Sequence, residues 1–464
     1  MRTPKFIPLA MLAALAGCTM IPEYERPEPP VPAAFPADAA AAVEAAPLAP
    51  EVAWKDYFTD PRLQAVIEMA LANNRDLRVA ALNIERARAL YRIQRSEQFP
   101  GLGAMGTGSR VRIPEKRTDD GEPTIASEYA FQVGISAFEL DLFGRVRSLK
   151  RRALEQYFAT EQARSAAQIA LVGAVGHAYL ALAADRENLR LALATFDAQA
   201  DYCGLIGRSR QMGVASDLDL RQAESQREAS RLDAARYQGL VEMDRNALHL
   251  LVGVPVPDEL LPEGLSSVAE PKAIGAGLPS EVLLRRPDIL AAEHQLLATN
   301  ANIGAARAAF FPRISLTLGG GTMSSDLSDL FGSGTGTWMF APQILAPLYA
   351  SGLQMANYKA AKVDREIAVA RYEQAIQTAF REVADALALR SSLAAQQEAS
   401  RALVDALDQT HRLSRARYEA GVDGYLGVLV AQRSLYIAQQ GLVTLRMADL
   451  ANRITLYKML GGGQ

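Results

Sequence analysis

Cysteine, histidine and a charge excess are all scarce in this chain of 464 residues, which carries two Cys, four His and a net charge of −3. So even a balance excludes an extended phosphate-binding surface, which needs clustered surplus Lys and Arg, and no nucleic-acid partner is expected. The histidines, His177, His249, His294 and His411, are dispersed and stand at no metal-ligand spacing from Cys or carboxylates. Each is expected on a helix surface or at an interface, and no metal or cofactor is expected. "LGGGT" at 318–322 is not followed by Lys-Ser/Thr, so it is no phosphate loop and its glycines are expected at a strand end. "RRPD" at 285–288 reads as a helix start, with Pro287 in first position and Asp288 in the positive first turn. No window approaches the roughly 20 apolar residues of a spanning helix, which excludes a polytopic helical membrane protein. Yet 49% of residues are hydrophobic, enough to bury large cores.

The apolar residues that do run together are at the start, where Arg2 and Lys5 precede an apolar stretch from Phe6 to Ala16. Such a pattern is a secretory signal, too short to span. Its end, Leu15-Ala16-Gly17-Cys18, resembles a bacterial lipobox, which implies a signal over 1–17, acylation of Cys18 as the mature N-terminus, and anchoring in lipid. Thr19 resembles the outer-membrane sorting choice. Only Cys203 would remain, so an intramolecular disulfide is excluded, and Cys203 reads as a small helix-end residue. Residues 18–53, rich in Pro and Ala, are expected to be an extended tether.

Beyond the tether the chain repeats itself. Phe99-Pro100 and Asn74-Arg75-Asp76-Leu77 align with Phe311-Pro312 and Arg286-Pro287-Asp288-Ile289 at a shift of 212, and Gly213-Val214 with Gly421-Val422 at 208. A tandem duplication follows, with repeats at 54–252 and 280–464 joined by a linker at 253–279. Each repeat reads as a helix, two short strands and a pair of long helices. Val172, Val175, Tyr179, Leu182, Arg186, Leu189, Leu193 and Phe196 alternate in steps of three and four, a coiled-coil period. With no Pro or turn cluster from Arg145 to Ala200, that helix is expected to run about 80 Å.

The strands set this chain apart from a soluble bundle. In "RISLTL", Ile314, Leu316 and Leu318 alternate with Arg313, Ser315 and Thr317. In "SEYAFQVGISAFELDL", Tyr129, Phe131, Val133, Ile135 and Ala137 share one face, with Glu128, Ala130, Gln132, Gly134 and Ser136 on the other. Apolar alternation with polar residues is the mark of a barrel strand between lipid and water. "GLGAMGTGSRVRI" and "GTWMFAPQILAPLY" supply the other two strands. Four strands cannot close a membrane barrel, so copies must pool them. Phe-Pro, at 99–100 and 311–312, then marks the junction from helix wall to bilayer, because Pro ends the helix and Phe suits an interfacial girdle.

"WKDYFTDPRLQAVIEMALANNRDLRVAALNIERAR", "FELDLFGRVR", "LPSEVLLRRPDILAAEHQLLATNANIGAARAAFFP", "RYEAGVDGYLGVLVAQRSL" and "LYKMLGGG" together resemble the TolC-like outer-membrane efflux channels, most closely their OprM-like lipoprotein branch, over nearly the whole chain. The resemblance implies a mainly α protomer with a small β part: long helices forming a periplasmic α-barrel, and four strands contributing to a trimeric 12-stranded outer-membrane barrel. It implies a homotrimer, a periplasmic membrane-fusion adaptor and an inner-membrane pump of the resistance-nodulation-division type as partners, passive conduction of small molecules, and no enzyme activity. Two rivals share features of this pattern: a TolC-type duct for protein secretion, and a pore-less periplasmic coiled-coil adaptor lipoprotein.

Gly213 and Gly421 stand where each long helix pair must reverse, because Gly accepts left-handed backbone angles. The resemblance places these turns at the periplasmic tip, where the tunnel closes and the adaptor docks. Carried over by position, Arg417 and Tyr418 brace the closed state, Leu426 is an apolar constriction, and Asp219 is the first-repeat acid of the gate. Val430 departs from the family pattern, in which Asp is usual, and Gly427 replaces a residue acidic in some members.

Overall fold

The computed structural model describes residues 19–32, 35, 48–119, 121–275 and 280–462. The signal segment 1–17 and Cys18 lie outside the described residues. Seven main helices and four strands follow in the order α1 (Pro61–Asn73), α2 (Arg75–Ser96), β1 (Leu102–Ile113), β2 (Thr124–Glu139), α3 (Arg145–Gln211), α4 (Asp217–Val252), α5 (Pro287–Ala308), β3 (Arg313–Ser324), β4 (Gly336–Leu345), α6 (Leu353–Glu419) and α7 (Tyr425–Met459). The plan of helix, hairpin and two long helices therefore occurs twice. The motifs aligned at 74–77 and 286–289 are both helix starts. Asn74 accepts from the Leu77 N–H at 2.8 Å ahead of α2, and Pro287 opens α5. α3 and α6 each run 67 residues, about 100 Å at 1.5 Å per residue.

The chain forms two compact units, each drawn from both repeats. The first takes residues up to Glu28, Asn83–Glu161 and Ala291–Glu373. It holds one antiparallel sheet in the order β1-β2-β3-β4, with Gly108 opposite Tyr129, Gly134 opposite Gly319, and Arg313 opposite Leu345. Two expectations about this sheet need correction. Gly319, Gly320 and Gly321 lie mid-strand rather than at a strand end, and at Gly134 and Gly321 the facing backbones of β2 and β3 leave no room for a side chain. A Cβ on Gly134 would collide with the Leu318 carbonyl, and one on Gly321 with that of Phe131. The alternation of β2 also ends before Ala137. A bulge between Ile135 and Phe138 puts Ala137 at φ 50°, so that Phe138 takes the place opposite Leu316.

The start of the tether is extended but docked. The Tyr24 hydroxyl donates to Glu293 Oε1 at 3.0 Å, Arg26 Nε donates to the same oxygen at 2.8 Å, and the Asn300 amide donates to the Pro22 carbonyl at 2.9 Å. Buried Glu155 Oε2 lies 2.7 Å from His294 Nδ1, so this histidine is half-enclosed with a carboxylate partner.

The second unit takes Pro29–Leu82, Gln162–Leu290 and Gln374–Gln464. Asp60 caps α1 by accepting from the N–H of Arg62 and Leu63, and α1 buries Leu63, Val66, Ile67 and Ala70. Val172, Val175, Tyr179 and Leu182 of α3 are buried as the heptad pattern requires, whereas Leu193 is exposed. One 18-residue stretch of α3 has the length and composition of a membrane span, contrary to the sequence expectation, but more than half of it is buried among neighbouring helices. Tyr57 and Tyr457 stack at 3.8 Å, and buried Arg286 donates to Asp288, to Glu382 and to the Met459 carbonyl. "RRPD" is thus a helix start and also an ionic clasp on α6 and α7.

Candidate functional site

The two reversals in the second unit are built alike. α3 ends on Gly213 at φ 74° and α6 on Gly421 at φ 72°. In each the N–H after the glycine reaches back five residues, Val214 to Ser209 and Val422 to Arg417, both at 2.9 Å. The glycine N–H meanwhile bonds three residues back, to Arg210 or Tyr418. This double closure satisfies orphan carbonyls at the helix end and requires the left-handed residue that Gly supplies.

They differ in how the following helix begins. Ser216 caps α4 in a capping box: its hydroxyl receives the Asp219 N–H at 3.2 Å, and the Asp219 carboxylate takes the Ser216 N–H at 2.9 Å. The Ser216 hydroxyl, donating to the carboxylate at 2.7 Å, and then the Ser216 N–H hold the Asp219 carboxyl below its usual range. The first-repeat acid expected at the gate thus also caps its own helix start. α7 begins after Gly424, which offers no side-chain cap. There Arg417 clasps Asp423 across the turn with Nε and Nη2, and the guanidinium holds that carboxyl down.

Behind the turns is a small core of Cys203, Ile206, Ala223, Tyr425, Val428 and Leu429. Cys203 is thus a buried core residue rather than a helix-end spacer. Tyr202 stacks on Tyr425 at 3.7 Å and 11°, and Tyr418 lies 5.4 Å from Tyr425 and 6.0 Å from Tyr202. Burial raises the Tyr202 and Tyr425 hydroxyls well above the ordinary tyrosine range. A cleft of about 430 Å³ beside this trio is lined by Arg208, His411, Arg415 and Gln432 among others, and burial pushes His411 down.

Leu426 and Val430 belong to none of this packing. They project from α7 with 59% and 56% of their surfaces exposed, while Tyr425, Val428, Leu429 and Ala431 face inward. At the other candidate positions, Phe99 and Phe311 lie in the bends between α2 and β1 and between α5 and β3, each followed by Pro100 or Pro312. Both phenylalanines are exposed, and Phe143 stacks on Phe311 at 4.8 Å. Among the described residues no three metal-binding side chains gather. Sequence reasoning missed the tyrosine trio, the Arg417–Asp423 clasp and a carboxyl pair, Asp185 with Asp244, between α3 and α4. Tyr202 carries no local signal, since it meets Tyr425 only after the helices pair, whereas Asp423 meets Arg417 across the turn that joins α6 to α7.

The pattern of the outer membrane efflux protein family matches residues 66–254 and 278–462. The chain belongs to the outer membrane efflux protein family. It is 46% identical to the probable efflux pump outer membrane protein TtgC of Pseudomonas putida over 99% of this chain and 96% of that protein. A membrane protein from Pseudomonas aeruginosa has the same fold at TM-score 0.89 and 41% identity, covering 96% of this chain and 100% of that one. The open state of the MtrE outer membrane channel of Neisseria gonorrhoeae superposes at TM-score 0.87 and 40% identity, with 96% and 98% covered. This outer membrane efflux protein thus has the mainly helical fold of the TolC-like channels, with four strands in the protomer.

Proposed function

We propose that three copies of this outer-membrane protein form the exit duct of a tripartite efflux pump. The observation that carries the reading is the open sheet. β1 and β4 are its edges, and each has a strand on one side only. An edge cannot be left unpaired in hydrocarbon, and three copies of four strands supply the twelve of a closed barrel. Apolar side chains such as Leu102, Trp338, Phe340 and Ile344 are exposed on one face of these strands, as a lipid-facing surface requires.

The names of the relatives support an efflux-pump role, with a periplasmic adaptor and an inner-membrane pump as partners that supply substrate and energy. The chain itself conducts and performs no chemical step. Cys18, acylated, adds a lipid anchor beside the barrel. Gly213 and Gly421 mark the tip where the adaptor docks, and Phe99-Pro100 and Phe311-Pro312 mark the level of the membrane surface. Leu426 and Val430, one helical turn apart on one face of α7, repeat three times around the axis as apolar collars that close the bore by dewetting. Arg417 and Tyr418 brace that closed state, while Asp219 serves its own helix.

Planar-bilayer recording of the purified protein tests the duct. Discrete conductance is expected, and Leu426→Ala should widen the constriction and raise the resting current. An intact trimer that passes no current, with or without this substitution, would refute the reading.

A further inference from the structure

Beyond the two collars, the exposed stripe of α7 continues through Arg433 and Ile437, at steps of three and four from Val430. Ile437 is 58% exposed and Arg433 is exposed as well. From Tyr425 to Leu445, Arg433 is the only charged side chain of the helix. Among the described residues it has neither a hydrogen bond nor an ion pair. An arginine without a carboxylate partner presents all of its fork of donors to whatever passes.

The charges around it do not cancel this one. The shift of 208 that superposes Gly213 on Gly421 places Leu218, Gln222, Ser225 and Ala229 of α4 where α7 has Leu426, Val430, Arg433 and Ile437. That equivalent stripe has no charge. The acids elsewhere on the first turns of α4 and at the second reversal are already engaged: Asp217 with Arg210, Glu224 with Arg221, Glu228 with Arg227, and Asp423 with Arg417. Asp219 keeps its charge in its capping box but stands six positions before Ser225, the equivalent of Arg433.

We propose that the three Arg433 guanidiniums form a cationic ring just inside the apolar collars, and that this ring binds anions and gives the duct a preference for permeants bearing carboxylate, phosphate or sulfate groups. The inference rests on the trimeric duct proposed above, in which the Leu426 and Val430 face of α7 lines the bore. Clustered charge of one sign in a narrow passage with low-dielectric walls concentrates the opposite ion, and guanidinium matches oxyanions with two parallel donors. Val430, uncharged, leaves the ring without the counter-charge that a carboxylate one turn away would supply.

Reversal potentials under a KCl gradient, recorded from the Leu426→Ala trimer so that the collar does not limit current, test the ring. The parent channel should favour chloride and be blocked by inorganic pyrophosphate added on the tip side. Arg433→Gln should move the reversal potential toward that of potassium and raise the half-blocking pyrophosphate concentration by at least about tenfold, the scale of a lost charge-assisted hydrogen bond. Arg433→Lys should keep the chloride preference, and Val430→Asp should abolish it by pairing the ring. Current whose selectivity and pyrophosphate block are unaffected by Arg433→Gln would overturn the ring and leave the duct standing. Absence of current in every variant would instead overturn the duct.

Discussion

Arg417 and Asp423 show how one pair of side chains stands in for a missing cap. Gly424 has no side chain to receive the first N–H groups of α7, so the turn relies on Gly421 for its path and on the Arg417 guanidinium for its bracing. Both partners are exposed, and an exposed pair contributes little to global stability. Its effect is expected locally, on where Tyr425 and Leu426 begin the helix. Arg417→Ala should therefore leave the melting temperature nearly unchanged while increasing opening events in bilayer recordings. A large drop in melting temperature with unaltered gating would show that the pair serves the fold and not the closed state.

Between α3 and α4, Asp185 faces Asp244. Burial and then the charge of Asp185 push the Asp244 carboxyl up to about 6, and burial raises Asp185 too. The sign follows from proton counting. Between about pH 4 and 6 the folded pair binds more protons than the unfolded chain, so stability falls as pH rises through this window and levels off above it. Asp244→Asn removes the titrating group while keeping the shape. Its melting temperature should match the wild type near pH 4 and exceed it at pH 7.5, a gap that differential scanning calorimetry would read. Equal curves across that range would mean that the two carboxyls are solvated. The same helix pair shows how far the heptad pattern reaches. Its apolar stripe is covered at Val172 through Leu182 and open at Leu193, beside a separate cluster in which Ala192 packs with Ala234, Tyr237 and Tyr436.

For the whole molecule, assembly and anchoring are separable. The paired edges that a trimer would create are backbone hydrogen bonds in a medium without water, where an unsatisfied N–H or C=O costs several kcal/mol, roughly. Native mass spectrometry in detergent should therefore show three copies and little free monomer. A stable, conducting monomer would contradict strand pooling. Lipid on Cys18, as proposed, would contribute roughly 0.8 kcal/mol for each buried CH₂, so removing it should loosen membrane attachment without dissolving the trimer. Mass spectrometry of the mature N-terminus should find acylated Cys18, and Cys18→Ser should still assemble when exported. An unmodified N-terminus at another residue would remove the anchor from the account.

Local backbone chemistry made much of this protein legible in advance. Pro312 has no N–H to continue α5, Gly213 and Gly421 accept left-handed angles, and a period of two or of three-and-four marks strand or helix without reference to distant residues. Those signals marked the four strands, the long helices and both reversals, because each depends on neighbours within a few positions. Asp219 carries the sequence signal of a capping box with Ser216, and the structure forms that box. Other features depended on residues brought together only by folding. Gly321 reads as a strand end in the sequence, yet it lies inside β3, where the Phe131 carbonyl of β2 leaves no room for a Cβ. Arg286 meets Glu382, Tyr202 meets Tyr425, and Tyr24 and Arg26 meet Glu293 across long separations in the chain. Such pairings are set by packing geometry, so composition and spacing carry no trace of them.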